Sequence, residues 1–280
     1  MIFFLPFVLL QSTVPPTVTP GVYQPALPER PPVQNPRRQG PGTATTDRAA
    51  RFEACIDQAL EDPKSAIITA SEWHIAGGGW LAQQCHGFAL SEAGDFAAAA
   101  SMFGDAADAA ASGKSVETAK LYAQSGNAAL ASGDAAAALS ALDKALLFSA
   151  LYAAKTQDVG LLRLDRARAL VALNKLADAQ SELEKAQALA PQDPLVWLLS
   201  ATLARRNGDY LRAQSDLDVA AKLAPRDPAV ALEAGNIAIK RGRVEAARKS
   251  WQSAVDIAPD SAEGRAAKSY LAQLDAALQE

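Results

Sequence analysis

The stretch Pro194–Asp227, PLVWLLSATLARRNGDYLRAQSDLDVAAKLAPRD, decides the fold. It reads as two amphipathic helices back to back. Asp193 and Pro194 open the first as N-cap and first helical residue, because proline's fixed φ suits a position whose N–H has no helical partner. The second starts past Gly208, and Pro225 ends it. Apolar residues recur three and four apart, at Val196, Leu199 and Leu203, then at Leu211, Leu217, Ala220, Ala221 and Leu223, so each helix carries one stripe to bury. Neither helix can bury its stripe alone, and the stretch therefore needs a neighbour of the same kind.

Such neighbours exist in the chain. The turn residues Gly94, Gly133, Asn174, Gly208 and Gly242 follow one another at 39, 41, 34 and 34 residues, and other registers keep the same step. Gly87, Gly126, Ala167, Ala201 and Gly235 form a small register, as do Ala99, Ala138, Ala179, Ala213 and Ala247. Phe103, Leu142, Leu183, Leu217 and Trp251 are bulky throughout, and Ala106, Ala145, Ala186, Ala220 and Ala254 are all alanine. A mid-helix glycine costs about 0.5 to 1 kcal/mol relative to alanine, so a register held to Gly or Ala points to close helix approach. On this reading the small residues let paired helices touch while the bulky one fills the groove to the next pair. Pro191, Pro225 and Pro259 close the last three copies; the first two have Ala111 and Ala150 there.

The order Trp197, Ala201, Gly208, Ala213, Leu217, Ala220, Pro225, repeated as Gly235, Gly242, Ala247, Trp251, Ala254, Pro259, resembles the tetratricopeptide repeat family. The resemblance covers roughly Trp80 to Ser261. It implies an all-α solenoid of stacked helix-turn-helix repeats, wound as a right-handed superhelix, with a concave surface that binds a protein or peptide.

The remaining organisation follows from composition. Residues 1–11 open with MIFFLPFVLL, too short to cross a bilayer and of the length of a signal-peptide apolar region, although no Lys or Arg precedes it and no A-x-A site follows. A buried terminus is the alternative. Residues 12–46 are proline-rich with few bulky apolar groups and read as a disordered linker. Residues 47–79 read as a capping hairpin, with Asp47 as N-cap of a helix whose Phe52, Ile56 and Leu60 share a face, Asp62 and Pro63 opening the next, and Gly77 to Gly79 as the turn. Five repeats follow at 80–118, 119–159, 160–193, 194–227 and 228–261, the second with its outer helix drawn out from Ala135 to Lys155, and residues 262–280 form a last capping helix.

Function classes narrow in the same way. With 280 residues, 49% hydrophobic and 21% charged, and a net charge of −4, the chain has neither the charge nor the basic patch of a nucleic-acid binder, and no transmembrane span. Two histidines and no G-x-S-x-G, H-E-x-x-H or paired-carboxylate arrangement argue against an enzyme, which stays a remote alternative, and no cofactor or metal motif is present. Cys55 and Cys85 fit either one disulfide in an exported protein or two buried thiols. The resemblance places the first helix of each repeat on the concave face, where Asn127, Arg168, Thr202, Arg205, Arg206, Asn236 and Lys240 become the candidate peptide-binding residues, with amides suited to a backbone and arginines to a carboxylate. A solvated polar face without a single ligand is the plainer alternative. These readings converge on a non-enzymatic adaptor that holds a protein or peptide partner, periplasmic or secreted if the N-terminus is a signal and otherwise cytoplasmic. The rival is a structural scaffold of an envelope assembly or secretion complex that uses the convex face in peripheral association with the envelope.

Overall fold

The computed structural model describes residues 44–152 and 154–277, and the apolar segment and nearly all of the proline-rich linker lie outside them. The described residues form thirteen α-helices and no strand. Six antiparallel pairs follow in order: α1 (Ala44–Glu61) with α2 (Pro63–Trp73), α3 (Gly79–Glu92) with α4 (Phe96–Ser112), α5 (Thr118–Ser132) with α6 (Ala135–Leu151), α7 (Thr156–Ala172) with α8 (Leu176–Leu189), α9 (Pro194–Arg206) with α10 (Tyr210–Leu223), and α11 (Pro228–Lys240) with α12 (Val244–Ile257). A last helix, α13 (Ala262–Ala277), closes the series, and a π turn at His74–Gly78 joins α2 to α3.

The turns inside the pairs are set by single residues. From α3 onward each first helix ends in one residue in the left-handed region, Gly94, Gly133, Gly208 and Gly242 at φ +71 to +86°, and Asn174 at φ +58° where the fourth pair lacks glycine. Asparagine is among the few L residues that visit this region at low cost. The next residue starts the second helix. Asp95, Asp134 and Asp209 cap it, accepting from the amides of Ala98, Ala137 and Arg212 at 3.2, 2.9 and 3.0 Å. Such a cap contributes about 1 kcal/mol. In the fourth and sixth pairs the same position holds Lys175 and Arg243, with no side-chain cap.

Within a pair, the small register receives the bulky register of its own partner helix. A Cβ on Gly87 would lie 2.9 Å from the Phe103 ring, one on Gly126 2.7 Å from Leu142, and one on Gly235 2.3 Å from the Trp251 ring. The bulky residue thus fills the space left by the missing Cβ in its own pair, and Leu142, Leu183 and Leu217 also join the clusters that reach the next pair. Between pairs the core continues without a break. Leu121, Leu142 and Leu162 share one cluster across the third and fourth pairs; Leu164, Leu183, Val196 and Leu203 share the next; Leu198, Leu217, Val230 and Ile237 the one after. Ala267 is buried and Tyr270 packs on Trp251, ring centroids 5.3 Å apart, so α13 covers the last pair while Arg265, Lys268, Gln273 and Asp275 face solvent.

Several local expectations change. α1 begins at Ala44, which places Asp47 in its first turn instead of at the cap, still well sited for the helix dipole. Its buried face is Cys55 and Ala59, and Leu60 is exposed. Leu211 is also exposed, since Ala213, Leu217 and Ala220 take the buried face of α10. α6 stops at Leu151: Phe148 turns back to stack between Tyr122 and Tyr152, centroids 5.6 and 6.3 Å away, and Lys155 instead precedes α7. The fourth pair starts at Thr156, with Gly160 buried inside α7 against Ala190.

Candidate interaction surface

First helices of neighbouring pairs touch one another, α1 with α3, α5 with α7, α9 with α11, whereas second helices of neighbouring pairs make no comparable approach. First helices therefore form one continuous side of the stack. On that side a single register, Cys85, Gln124, Asp165, Leu199 and Glu233, meets the first helix of the preceding pair. Each junction uses a different chemistry. Cys85 and Cys55 have Cα atoms 6.2 Å apart and their sulfurs at bonding distance. The Gln84 amide donates to Gln124 at 2.9 Å. The Asn127 amide bonds Asp165. Leu199 packs into the cluster of Leu164 and Leu170. Arg205 Nε donates to Glu233 Oε1 at 2.6 Å.

This ladder accounts for most of the candidate binding residues. Arg168 donates to Asp165 at 3.1 Å, and both side chains are largely buried. Burial pushes the Asp165 carboxyl up, against the charge of Arg168 and hydrogen bonds from Asn127 and Arg168. Arg205 is spent on buried Glu233, and Asn236 donates to the same carboxylate at 3.3 Å while accepting from Trp251 Nε1 at 3.1 Å. Arg205 and Asn236 bridge adjacent helices and Arg168 is paired within α7, so these three are not free donors awaiting a peptide. Thr202 is half-buried. Asn127 keeps its Oδ1 buried without a partner. Arg206 and Lys240 are exposed and carry no ion pair among the described residues.

Sequence reasoning missed the carboxylates. Asp165, Glu182, Asp216 and Glu233 are all buried, and each has a donor. Ser200 donates to Asp216 at 2.6 Å; Lys185 and Arg163 donate to Glu182 at 2.7 and 3.0 Å. Burial pushes the Glu182 carboxyl up, but the hydrogen bonds and charges of Lys185 and Arg163 outweigh it and hold it below its ordinary value. The only signal for these groups was a carboxylate inside an otherwise apolar stripe. Several apolar side chains of the first helices, Leu130, Leu161, Val171, Leu195, Leu232 and Ile239, pack against the core and keep part of their surface accessible.

For the histidines, burial and then the nearby His74 push the half-buried His86 imidazole down. Among the described residues no three His, Cys, Asp or Glu side chains converge as a metal would require, and no helix is long and apolar enough to cross a membrane.

Comparison with known proteins agrees with this geometry. The tetratricopeptide repeat family model matches residues 164–213 and 198–262. Among solved structures, PilW, a type IV pilus biogenesis factor, superposes with a TM-score of 0.65 at 16% identity, covering 80% of this chain and 99% of that one. PilF of Pseudomonas aeruginosa gives 0.60 at 16% identity, with the same coverage of 80% and 99%. BtubC from P. vanneervenii gives 0.57 at 17% identity, covering 77% and 91%. No curated protein matches the sequence. With the family match over residues 164–262 and the same fold in these neighbours, the chain carries tetratricopeptide repeats in its regular pairs and is an all-α solenoid of stacked hairpins.

Proposed function

We propose that the protein is a non-enzymatic adaptor that holds a segment of a protein partner along its first helices. The observation that carries this is the partly accessible apolar surface of Leu130, Leu161, Val171, Leu195, Leu232 and Ile239 on the first helices, beside rungs whose charges are already neutralised within the chain. Such a surface contributes by burying apolar area, roughly 25 cal/mol per Å² before ordering costs, and offers little to a carboxylate except at Arg206 and Lys240. The double variant Leu161→Lys, Leu195→Lys should lose the partner at a temperature where circular dichroism shows it folded; undiminished crosslinking to the partner would contradict the reading.

Export to the periplasm is part of the proposal. It is supported by the apolar MIFFLPFVLL and by two sulfurs placed to bond, since disulfides persist in oxidising compartments. Alkylation of the protein taken directly from a periplasmic fraction tests it: unreactive cysteines until reductant is added are expected, and immediate modification at both would count against export. A second reading, as an accessory scaffold of an envelope assembly, is favoured by exposed Leu147, Leu151 and Leu211 on second helices, and one neighbour in fold is a pilus biogenesis factor. Lysine at Leu147 and Leu151, with the first-helix side left intact, should abolish assembly if that reading is right.

A further inference from the structure

The edge of the stack formed by the turns inside the pairs changes sign along the chain. At the position that starts each second helix the residues run Asp95, Asp134, Lys175, Asp209, Arg243. The three aspartates cap their helices, whereas Lys175 and Arg243 give up the side-chain cap and set a cation against the positive end of the helix dipole. Neither is compensated inside the chain: both are exposed and without an ion pair among the described residues. Beside them on the same edge stand Arg206 and Lys240, also exposed and unpaired, and half-buried Arg241. The carboxylates facing this cluster are Asp178, Asp209 and Glu245, and Asp209 is engaged as a cap.

We propose that this edge of the last three repeats, at Lys175, Arg206, Lys240 and Arg243, docks an acidic segment of a protein partner. Two helices keep a less stable start at the positions where the other pairs carry aspartate, and the cation gained is the one feature those substitutions add. The interspersed Asp178, Asp209 and Glu245 would repel the evenly spaced phosphates of a nucleic acid, while peptide carboxylates can be spaced to meet the cations and avoid them. This contact adjoins the apolar first-helix side at Arg206 and Lys240 and otherwise uses residues of the turn edge, Lys175 and Arg243.

The test uses the full chain and a fluorescein-labelled twelve-residue peptide of alternating Asp and Ser, with a dodecamer of thymidylate as the polyanion control. Binding of the peptide should weaken as salt rises, and by at least about tenfold in the variant Lys175→Asp, Arg206→Glu, Lys240→Glu, Arg243→Asp. The same Lys175→Asp and Arg243→Asp changes restore caps, so that variant should melt no lower than the parent, which separates lost docking from lost folding. The charge-neutral variant Leu161→Gln, Leu195→Gln should bind the acidic peptide as the parent does. No binding by the parent, equal binding by the charge-reversed variant, or tighter binding of the thymidylate would each overturn the proposal.

Discussion

Gly235 shows how little room a single position leaves. A Cβ there would fall 2.3 Å from the Trp251 ring, and Trp251 is held on its other face by Tyr270 and through its Nε1 by Asn236. Gly235→Ala should therefore destabilise by about 1–3 kcal/mol in chemical denaturation, through overpacking that a helix propensity gain of about 1 kcal/mol does not offset. Asn174 poses the opposite problem, a left-handed backbone with no demand on volume. Asn174→Gly should leave the midpoint unchanged or raise it, and Asn174→Val should lower stability by about 1–3 kcal/mol. Arg205 was legible as a first-helix cation, but its pairing with a carboxylate 28 residues away was not, since nothing local announces it. Arg205→Glu should therefore lower the melting temperature sharply, by leaving two carboxylates together in a buried site, a loss of about 3–5 kcal/mol, whatever it does to binding.

At the scale of elements, the hairpins were readable because their period repeats in four registers at once, and a chance match in all four is improbable. The ladder between first helices was not, because one register holds Cys, Gln, Asp, Leu and Glu and only the contact unites them. Its carboxylates give the elements a pH dependence. Glu182 lies below its ordinary value in the folded protein, so the stability it contributes is present above the unfolded value and is lost as pH falls below 4.5 toward the lowered folded value. Asp165 is shifted the other way, and its contribution is present at low pH and lost as pH rises through its raised folded value. Glu182→Gln should flatten the acid limb of a stability–pH profile; an unchanged limb would show that the Lys185 and Arg163 contacts do not hold in solution. The capping pair α1 and α2 is tied to α3 by the two cysteines, which close a loop of 30 residues. Cys85→Ala should cost about 2–4 kcal/mol and show first as faster amide exchange in α1 and α2.

For the described molecule, the core runs from pair to pair and has no centre, so a cavity in one pair loosens its neighbours before the far end. Leu217, nearly inaccessible between α9, α10 and α11, is the sharpest probe: Leu217→Ala should cost about 2–5 kcal/mol, with exchange rising in the last three pairs ahead of α3 and α4. The stacking itself was legible from the sequence, whereas the sign change along the turn edge emerged only when the cap positions could be compared in space.

The most direct test of stacking is a set of spin-label distances at one register of successive first helices, Glu92, Ala172, Arg206 and Lys240. If the pairs stack in line, the separation grows with each intervening pair by roughly 10 Å, so Glu92 to Lys240 is by far the longest and Ala172 to Arg206 among the shortest. A Glu92 to Lys240 distance as short as that between adjacent pairs would mean the hairpins fold back on one another, and would contradict the account.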